Sequence, residues 1–248
     1  MRISQFFYET IDCNQGIGFA VVRLMQNSTT PTLIYCYDAL CGWCYGFSAV
    51  MNKIYGQNKN RLAVEVLSGG MVLPQHRQPI SVMAGYIQKA YKTVEETTGV
   101  RFGQDYLWHI FNPQQSDWAL DSVKPAVSLC IFKEHHPQRA VEWASALQHA
   151  HMYEGRDLTD DEAYRHLLFQ FNVPENEFYS KLRSEEYKQK AYYEFALVKQ
   201  LQVTGYPTVL LQANASKFYL LGRGYVDYET LNSRLQKVFA ELNAHPAL

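Results

Sequence analysis

The sequence lacks a strong charge of either sign. Its 23 Lys and Arg residues nearly balance its 24 Asp and Glu residues, and the formal net charge is −1 at pH 7. No run of Lys and Arg is longer than two residues. Proteins that bind nucleic acids or anionic membranes usually carry a basic patch or stripe. We therefore expect neither a nucleic acid nor a membrane surface as a partner.

Long apolar runs are also absent. No stretch approaches the roughly 18 apolar residues of a membrane span. The segment Gly16–Met25 is apolar enough to suggest the core of a secretion signal, but Glu9 and Asp12 precede it and Arg23 interrupts it. A cleavage site of the A-x-A type is missing as well. We interpret the chain as a cytoplasmic protein.

Cysteine is scarce, with five residues among 248. This number does not suit a small domain held together by disulfides. Cys13, Cys36 and Cys130 are isolated in the sequence, and we interpret them as small buried apolar residues. The content of 47% hydrophobic and 19% charged residues is that of a globular protein with a substantial core. Only the two remaining cysteines are spaced as a pair.

That pair is Cys41-Gly42-Trp43-Cys44, between an apolar run typical of a strand and a predicted helix over 44–57. The free N–H groups and the positive dipole end of a helix stabilise an anion there, so the first sulfur is favoured as a thiolate. The second cysteine lies about one turn into the helix and can close back onto the first. The motif therefore predicts a redox pair, with Cys41 attacking and Cys44 resolving.

The hydrophobic pattern predicts strands at 32–38 and 62–67 on either side of that helix, which is a parallel βαβ unit. A β-hairpin is predicted from 208–212 and 217–221, followed by a last helix over 227–242. Between these parts the spacing of apolar residues is helical. It predicts six helices: Ile80–Thr97, Lys124–Lys133, Pro137–Tyr153, Thr159–Phe171, Pro174–Leu182 and Ser184–Leu201.

Two of these helices begin at recognisable capping residues. Thr159 with Glu162 has the spacing of a capping box. Ser184 followed by Glu185 and Glu186 suits both a capping hydroxyl and the helix dipole. We expect both helices to begin at these residues.

The order βαβ, helices, ββα predicts a helical domain inserted into a smaller α/β domain. The α/β domain is assigned to 31–74 and 203–248, and the inserted helical domain to 75–202. Residues 1–30 are assigned as an N-terminal extension, which is either an extra strand or poorly ordered.

This order, with CxxC after the first strand, resembles the thioredoxin fold, and the helical insertion resembles the DsbA-like family. The match is closest to its FrnE-related, disulfide-isomerase-like branch and covers about residues 31–242. Three stretches carry it: Asp38–Phe47, Ser68–Met71 and Val203–Val209.

The resemblance implies a thiol–disulfide oxidoreductase or isomerase that acts on disulfide-containing proteins or small thiols. It implies that Cys41 is the nucleophile and Cys44 the resolving cysteine, that Pro207 is the family's cis-proline, and that the backbone of Tyr206 pairs with an extended substrate. No bound cofactor or metal is expected, and glutathione is a co-substrate candidate. Ser122, Lys124 and Pro125 lie where family members bring the helical domain towards the active site.

The dipeptide between the cysteines, Gly42-Trp43, is expected to contact the substrate. It contains neither a charge nor a histidine, whereas DsbA combines a very low thiol pKa with a strongly oxidising potential. We therefore expect a less oxidising pair here.

One position departs from the family pattern. The buried acidic residue that lies six positions before the first cysteine in thioredoxin and DsbA is Tyr35 in this chain. The proton acceptor of Cys44 is therefore left among Glu65, Asp38, water and the Tyr35 hydroxyl. Cys36 follows Tyr35 in the strand and is expected to point to the opposite face.

Alternatives remain on the residues alone. A CxxC also binds zinc, but no second CxxC is present, so zinc would need histidines or a second chain. The kappa-class glutathione transferases and chromene-carboxylate isomerases share the fold but use a serine in place of the first cysteine. A non-catalytic partner-binding module is the third alternative.

The stretch Gly222–Tyr225 is interpreted as a turn into the last helix, with a loop beside Pro207 as the alternative. The oligomeric state is left open.

Overall fold

The structure is a computed structural model that describes residues 10–12, 30–76 and 78–244. The strands of these residues are β1 Thr10–Asp12, β2 Thr32–Tyr37, β3 Ala63–Ser68, β4 Gln78–Pro79, β5 Ala119–Leu120, β6 Thr208–Gln212 and β7 Lys217–Arg223. Their helices are α1 Gly42–Asn58, α2 Ser81–Thr98, α3 Gln104–Phe111, α4 Val123–His135, α5 Ala140–Met152, α6 Arg165–Phe171, α7 Glu175–Leu182, α8 Glu185–Gln200 and α9 Tyr228–Ala244. None of these helices is long and apolar enough to cross a membrane.

Five strands form the main sheet in the order β1-β7-β6-β2-β3. Strands β2 and β3 are parallel, and β2–β6, β6–β7 and β7–β1 are antiparallel. Tyr35 lies opposite Val66 on one side and Val209 on the other. The predicted βαβ unit and the predicted hairpin are therefore confirmed, and they meet through β2.

Strand β2 is buried at all six positions because helices cover both faces of the sheet. Leu33, Tyr35 and Tyr37 belong to the larger core cluster, which contains the cysteine pair. Ile34 and Cys36 belong to a second cluster on the opposite face. The expected orientation of Cys36 is confirmed, as is its burial as a small apolar residue.

Helices α2–α8 fall between β3 and β6 along the chain, which confirms the predicted α/β fold with a helical insertion. The insertion has its own aromatic packing, in which the rings of Phe132 and Trp143 stack with centroids 4.4 Å apart. The boundaries assigned to the two domains stay a prediction.

The sequence pattern missed helix α3. It has only eight residues, from Gln104 to Phe111, and lies between Gly103 and an Asn-Pro pair. The pairing of β4 with β5 was missed as well, since two-residue strands carry no alternation to recognise.

The predicted capping box at Thr159 is wrong. The backbone N–H of Thr159 donates to Asp157 Oδ1 at 2.8 Å, and Asp160 is the cap, with its Oδ1 accepting from Glu162 N at 3.1 Å. The chain then forms a 3₁₀ turn before α6 begins at Arg165. The cap at Ser184 is confirmed, since its side chain accepts from Tyr187 N at 3.4 Å.

Strand β1 answers part of the question left open for residues 1–30. Thr10, Ile11 and Asp12 pair antiparallel with β7 at the edge of the main sheet. The extension therefore supplies an extra strand of three residues. Cys13 and the rest of the extension lie outside the described residues, apart from Thr30.

Candidate active site

Cys41 is the N-cap residue of helix α1. Its backbone is extended (φ −86°, ψ 112°), and Cys44 N–H donates to Cys41 Sγ at 3.4 Å. The backbone N–H of Cys41 donates in turn to Asp38 O at 3.1 Å, which closes the turn between β2 and the helix. The first sulfur therefore lies at the positive end of α1, where free N–H groups stabilise an anion.

The two thiols differ in exposure and in acidity. Cys41 is 8% exposed and Cys44 is 0% exposed. The pKa of Cys41 is lowered, chiefly because the Cys44 thiol donates a hydrogen bond to it. The pKa of Cys44 is raised well above that of an ordinary thiol, chiefly by burial. The first thiol is thus the more exposed of the pair and the one disposed to ionise.

The segment before β6 lies against this pair. The Cys41 thiol donates to the Tyr206 carbonyl at 3.6 Å, and the peptide bond between Tyr206 and Pro207 is cis. The Tyr206 hydroxyl donates to Gly69 O at 2.8 Å, so the loop after β3 holds its ring. Tyr206 thereby presents backbone beside the accessible sulfur.

Trp43 and the chain after β7 form another side of the site. The ring centroids of Trp43 and Tyr225 lie 6.3 Å apart, and Tyr225 also meets Phe47 edge-on at 6.1 Å. Gly224 N–H donates to Pro207 O at 2.8 Å. The interpretation of Gly222–Tyr225 as a simple turn is therefore wrong, because this stretch packs against the site.

Gly42 lies next to Cys41, half-buried, where an added Cβ would be 3.5 Å from the Phe102 ring. The structure thus brings together all six residues that the sequence singled out: Cys41, Gly42, Trp43, Cys44, Tyr206 and Pro207.

Asp38 is a buried carboxylate, 1% exposed, three residues before Cys41. Its Oδ1 accepts from Leu40 N and from Ser122 Oγ, each at 3.0 Å, and its Oδ2 accepts from Met71 N at 2.7 Å. Burial is the largest influence on its pKa, which is raised. This carboxylate therefore joins the turn of the cysteine pair to the loop after β3 and to the start of α4.

The structure narrows the proton acceptors considered for Cys44. Glu65 is excluded, because the strand register puts it on the sheet face opposite Tyr35, where it pairs with Lys133 at 2.6 Å. Among the described residues, the buried Tyr35 hydroxyl has no hydrogen-bond partner of good geometry, and burial raises its pKa well above the ordinary value. Asp38 and Tyr35 remain as the protein groups beside the cysteine pair.

A second polar cluster lies along the edge strand β3. The Lys133 ammonium donates to Glu65 at 2.6 Å and to Glu194 at 2.5 Å, and the Cys130 thiol donates to Glu194 at 3.4 Å. The cluster lines a cavity of about 390 Å³. Cys130 is buried as expected but has a carboxylate partner, and burial raises its pKa.

Metal ligands are not grouped in the part of the chain that the structure describes. There, no three or more His, Cys, Asp or Glu side chains are arranged to hold an ion.

Gly69 is required by the close approach of Tyr206. A Cβ at this position would overlap the Tyr206 ring. We expect Gly69→Ala to displace that ring, to lower the free energy of unfolding by about 1–3 kcal/mol, and to slow reactions at Cys41. Urea unfolding and the alkylation rate of Cys41 measure the two effects.

Gly85 provides the matched control within helix α2, because an added Cβ there meets nothing within 4 Å. Gly85→Ala is expected to stabilise the protein by roughly 0.5–1 kcal/mol, since Ala loses less backbone entropy in a helix. Equal behaviour of the two variants would contradict the role given to Gly69.

Comparison with known proteins agrees with this description. The fold and the cysteine pair at the start of α1 define a protein of the thioredoxin superfamily. Residues 32–236 match the family model of the DSBA-like thioredoxin domain, and the chain belongs to this family.

Solved structures give the same fold. A Nitrosomonas europaea protein with the provisional description of protein disulfide isomerase has a TM-score of 0.73 and 23% identity, over 86% of this chain and 98% of its own. The cytosolic disulfide reductase DsbM from Pseudomonas aeruginosa has a TM-score of 0.66 and 24% identity, and the match covers 87% of this chain and 100% of DsbM. The structure of DsbM with GSH has a TM-score of 0.67 and 22% identity, and the match covers 86% of this chain and 99% of DsbM. No curated protein sequence matches the chain.

Proposed function

We propose that this protein is a cytoplasmic thiol–disulfide oxidoreductase that exchanges disulfides with proteins or small thiols through Cys41 and Cys44. One observation carries the proposal. Cys41 is the more exposed of the two cysteines, its Sγ accepts the N–H of Cys44 at 3.4 Å and lies 3.6 Å from the Tyr206 carbonyl, and Cys44 is fully buried. This is the arrangement of an attacking and a resolving thiol.

In the proposed reaction the Cys41 thiolate attacks one sulfur of a substrate disulfide. A mixed disulfide forms, and the other substrate sulfur leaves as a thiolate. Cys44 then attacks Cys41 Sγ, and the bond between Cys41 and the substrate breaks. The Cys44 proton ends on the departing substrate thiolate, so the substrate gains two electrons and the protein holds a Cys41–Cys44 disulfide. Two molecules of glutathione reduce that disulfide and become oxidised glutathione.

The neighbours of the pair suit these steps. The carbonyl of Tyr206 faces Cys41, and an extended substrate strand needs such an acceptor for its own N–H. The cis Pro207 after it has no N–H to compete for the substrate. Trp43 and Tyr225 add an aromatic side to the place where the substrate would lie. The electrons pass between sulfurs, so the reaction requires no resident cofactor.

One similar structure supports glutathione as the small thiol. It is that of DsbM from Pseudomonas aeruginosa, described as a cytosolic disulfide reductase, with GSH. That description also supports the cytoplasmic location proposed from the sequence. A kappa-class transferase mechanism is disfavoured, because Cys41 stands where those enzymes have a serine.

The proposal is tested by following the reduction of a mixed disulfide between a peptide and glutathione. With excess glutathione and the wild-type protein we expect turnover well above the uncatalysed rate. The rate should rise with pH and level off below the pKa of an ordinary thiol, because the pKa of Cys41 is lowered.

Alkylation by iodoacetamide supplies an independent check. Cys41 should take the label with the same pH dependence, and peptide mass analysis should find Cys44, Cys36 and Cys130 unlabelled in the folded protein. A protein in which Cys41 is alkylated in this way but which shows only background turnover would contradict the proposed function.

A further inference from the structure

We propose that Asp38 is a positioning residue whose buried negative charge limits the stability of the Cys41 thiolate and makes the cysteine pair more reducing. The inference rests on the proposed function and extends it to the direction in which the pair prefers to react. It starts from the contacts of the carboxylate, which lies at the meeting point of three parts of the fold.

The hydrogen bonds of Asp38 favour its charged form. Both oxygens accept, Oδ1 from Leu40 N and Ser122 Oγ and Oδ2 from Met71 N, at 2.7–3.0 Å. A protonated carboxyl would need an acceptor, and the two backbone N–H groups offer none. Hydrogen bonds from backbone N–H groups stabilise a carboxylate even where burial disfavours it. The side chain is therefore assigned as an anion.

Asp38 is held next to the pair by its backbone. The main-chain oxygen of Asp38 accepts from Cys41 N at 3.1 Å, so the two residues are held across one tight turn. The carboxylate acts against ionisation of both Cys41 and Cys44. A buried charge is screened much less by solvent than one at the surface.

Four titratable side chains interact electrostatically with the carboxylate. They are the thiols of Cys41 and Cys44 at the start of α1, the Tyr37 phenol of β2 and the Tyr206 phenol before β6. Helices α4 and α5 contribute the neutral groups of Ser122 and Gln148. Within residues 30–76 and 78–244, no lysine, arginine or histidine forms an ion pair with Asp38.

A negative charge next to Cys41 disfavours the Cys41 thiolate and hence the reduced form of the pair. A strongly oxidising pair owes that property to a stabilised reduced form. Asp38 therefore opposes that state, and its removal should make the pair more oxidising.

The test is Asp38→Asn, which keeps the size of the side chain and removes its charge. We expect about tenfold more Cys41 thiolate at a given pH below its pKa, measured by the pH dependence of alkylation and of thiolate absorbance. At a pH above the pKa of Cys41, where the reduced pair holds the thiolate, the equilibrium with glutathione should shift about tenfold towards the reduced pair, which corresponds to ~30 mV for a two-electron couple. Asp38→Ser is a second variant without the charge. Its shorter side chain leaves room for a water molecule that can accept from Met71 N.

The matched control is Ser122→Ala. It removes one donor from the same carboxylate but leaves the charge in place, so the Cys41 thiolate should become no more stable. A purely structural role would move Asp38→Asn and Ser122→Ala in the same direction. Such a parallel change would overturn the proposal. An unchanged amount of Cys41 thiolate in Asp38→Asn and Asp38→Ser, or failure of both of these variants to fold, would overturn it as well.

The readout also separates this inference from the proposed function. Alkylation and thiolate absorbance require no substrate and no turnover. A shift in Asp38→Asn with only background exchange in the wild type would count against the oxidoreductase. Normal exchange without the shift would count against the role of Asp38 alone.

Discussion

Replacement of Cys41 by Ser is expected to reduce disulfide exchange to the uncatalysed rate. Cys41 carries the accessible sulfur, and its hydroxyl replacement does not ionise near neutral pH. Cys44 cannot substitute for it, because Cys44 is fully buried and burial raises the pKa of its thiol. Turnover of a mixed disulfide with glutathione measures the loss.

Cys44→Ser should behave differently from Cys41→Ser. The first attack still occurs at Cys41, but the resolving thiol is gone, so a covalent complex between Cys41 and the substrate should accumulate. Non-reducing electrophoresis and mass analysis would detect this complex. Its formation in Cys44→Ser but not in Cys41→Ser separates the two roles.

Cys36→Ala is the matched control. Cys36 is buried five residues before Cys41, but its side chain lies on the other face of the sheet. Exchange in this variant should stay at the wild-type rate. Equal background rates in the wild type and in all three variants would overturn the enzymatic role and favour a partner-binding module.

Lys133→Met is expected to lower the free energy of unfolding by about 3–5 kcal/mol. The Lys133 ammonium is the partner of Glu194, a carboxylate that is buried and also accepts from Ser68 N at 2.9 Å. Met fills a similar volume but leaves this carboxylate without its cation. Urea unfolding at neutral pH measures the change.

Lys190→Met serves as the control on the same surface. The Lys190 side chain is 40% exposed and pairs with Glu134 at 2.7 Å. Exposed pairs contribute roughly 0–1 kcal/mol, so this variant should remain close to the wild type. A similar loss in both variants would show that burial of Glu194 is not what makes Lys133 important.

Much of the architecture could be predicted because its strands and helices depend on residues that are close together in the sequence. The run Thr32–Tyr37 is apolar throughout, as a strand covered on both faces must be. The hairpin of β6 and β7 has two apolar runs separated by a short polar link, and Ser184 supplies its own cap. The cysteine pair was located for the same reason, since its helix N-terminus is a local feature.

What escaped prediction depends on contacts between distant parts of the chain. Asp38 was visible as an acidic residue, but Ser122 is 84 residues away, and nothing local shows that its hydroxyl donates to that carboxylate. Tyr225 follows a glycine-rich stretch that suggests a turn, and only the folded chain brings it to Trp43. Three acidic residues follow Thr159 in a row, and the structure uses the first of them, Asp160, as the cap.

The contact between Cys41 and the Tyr206 carbonyl joins residues 165 positions apart. During synthesis the cysteines therefore leave the ribosome long before the chain that will form one wall of their site. A partly made chain has the thiol pair and no Tyr206 beside it. In the proposed function, a substrate strand can therefore pair with Tyr206 only after the helical insertion has been made.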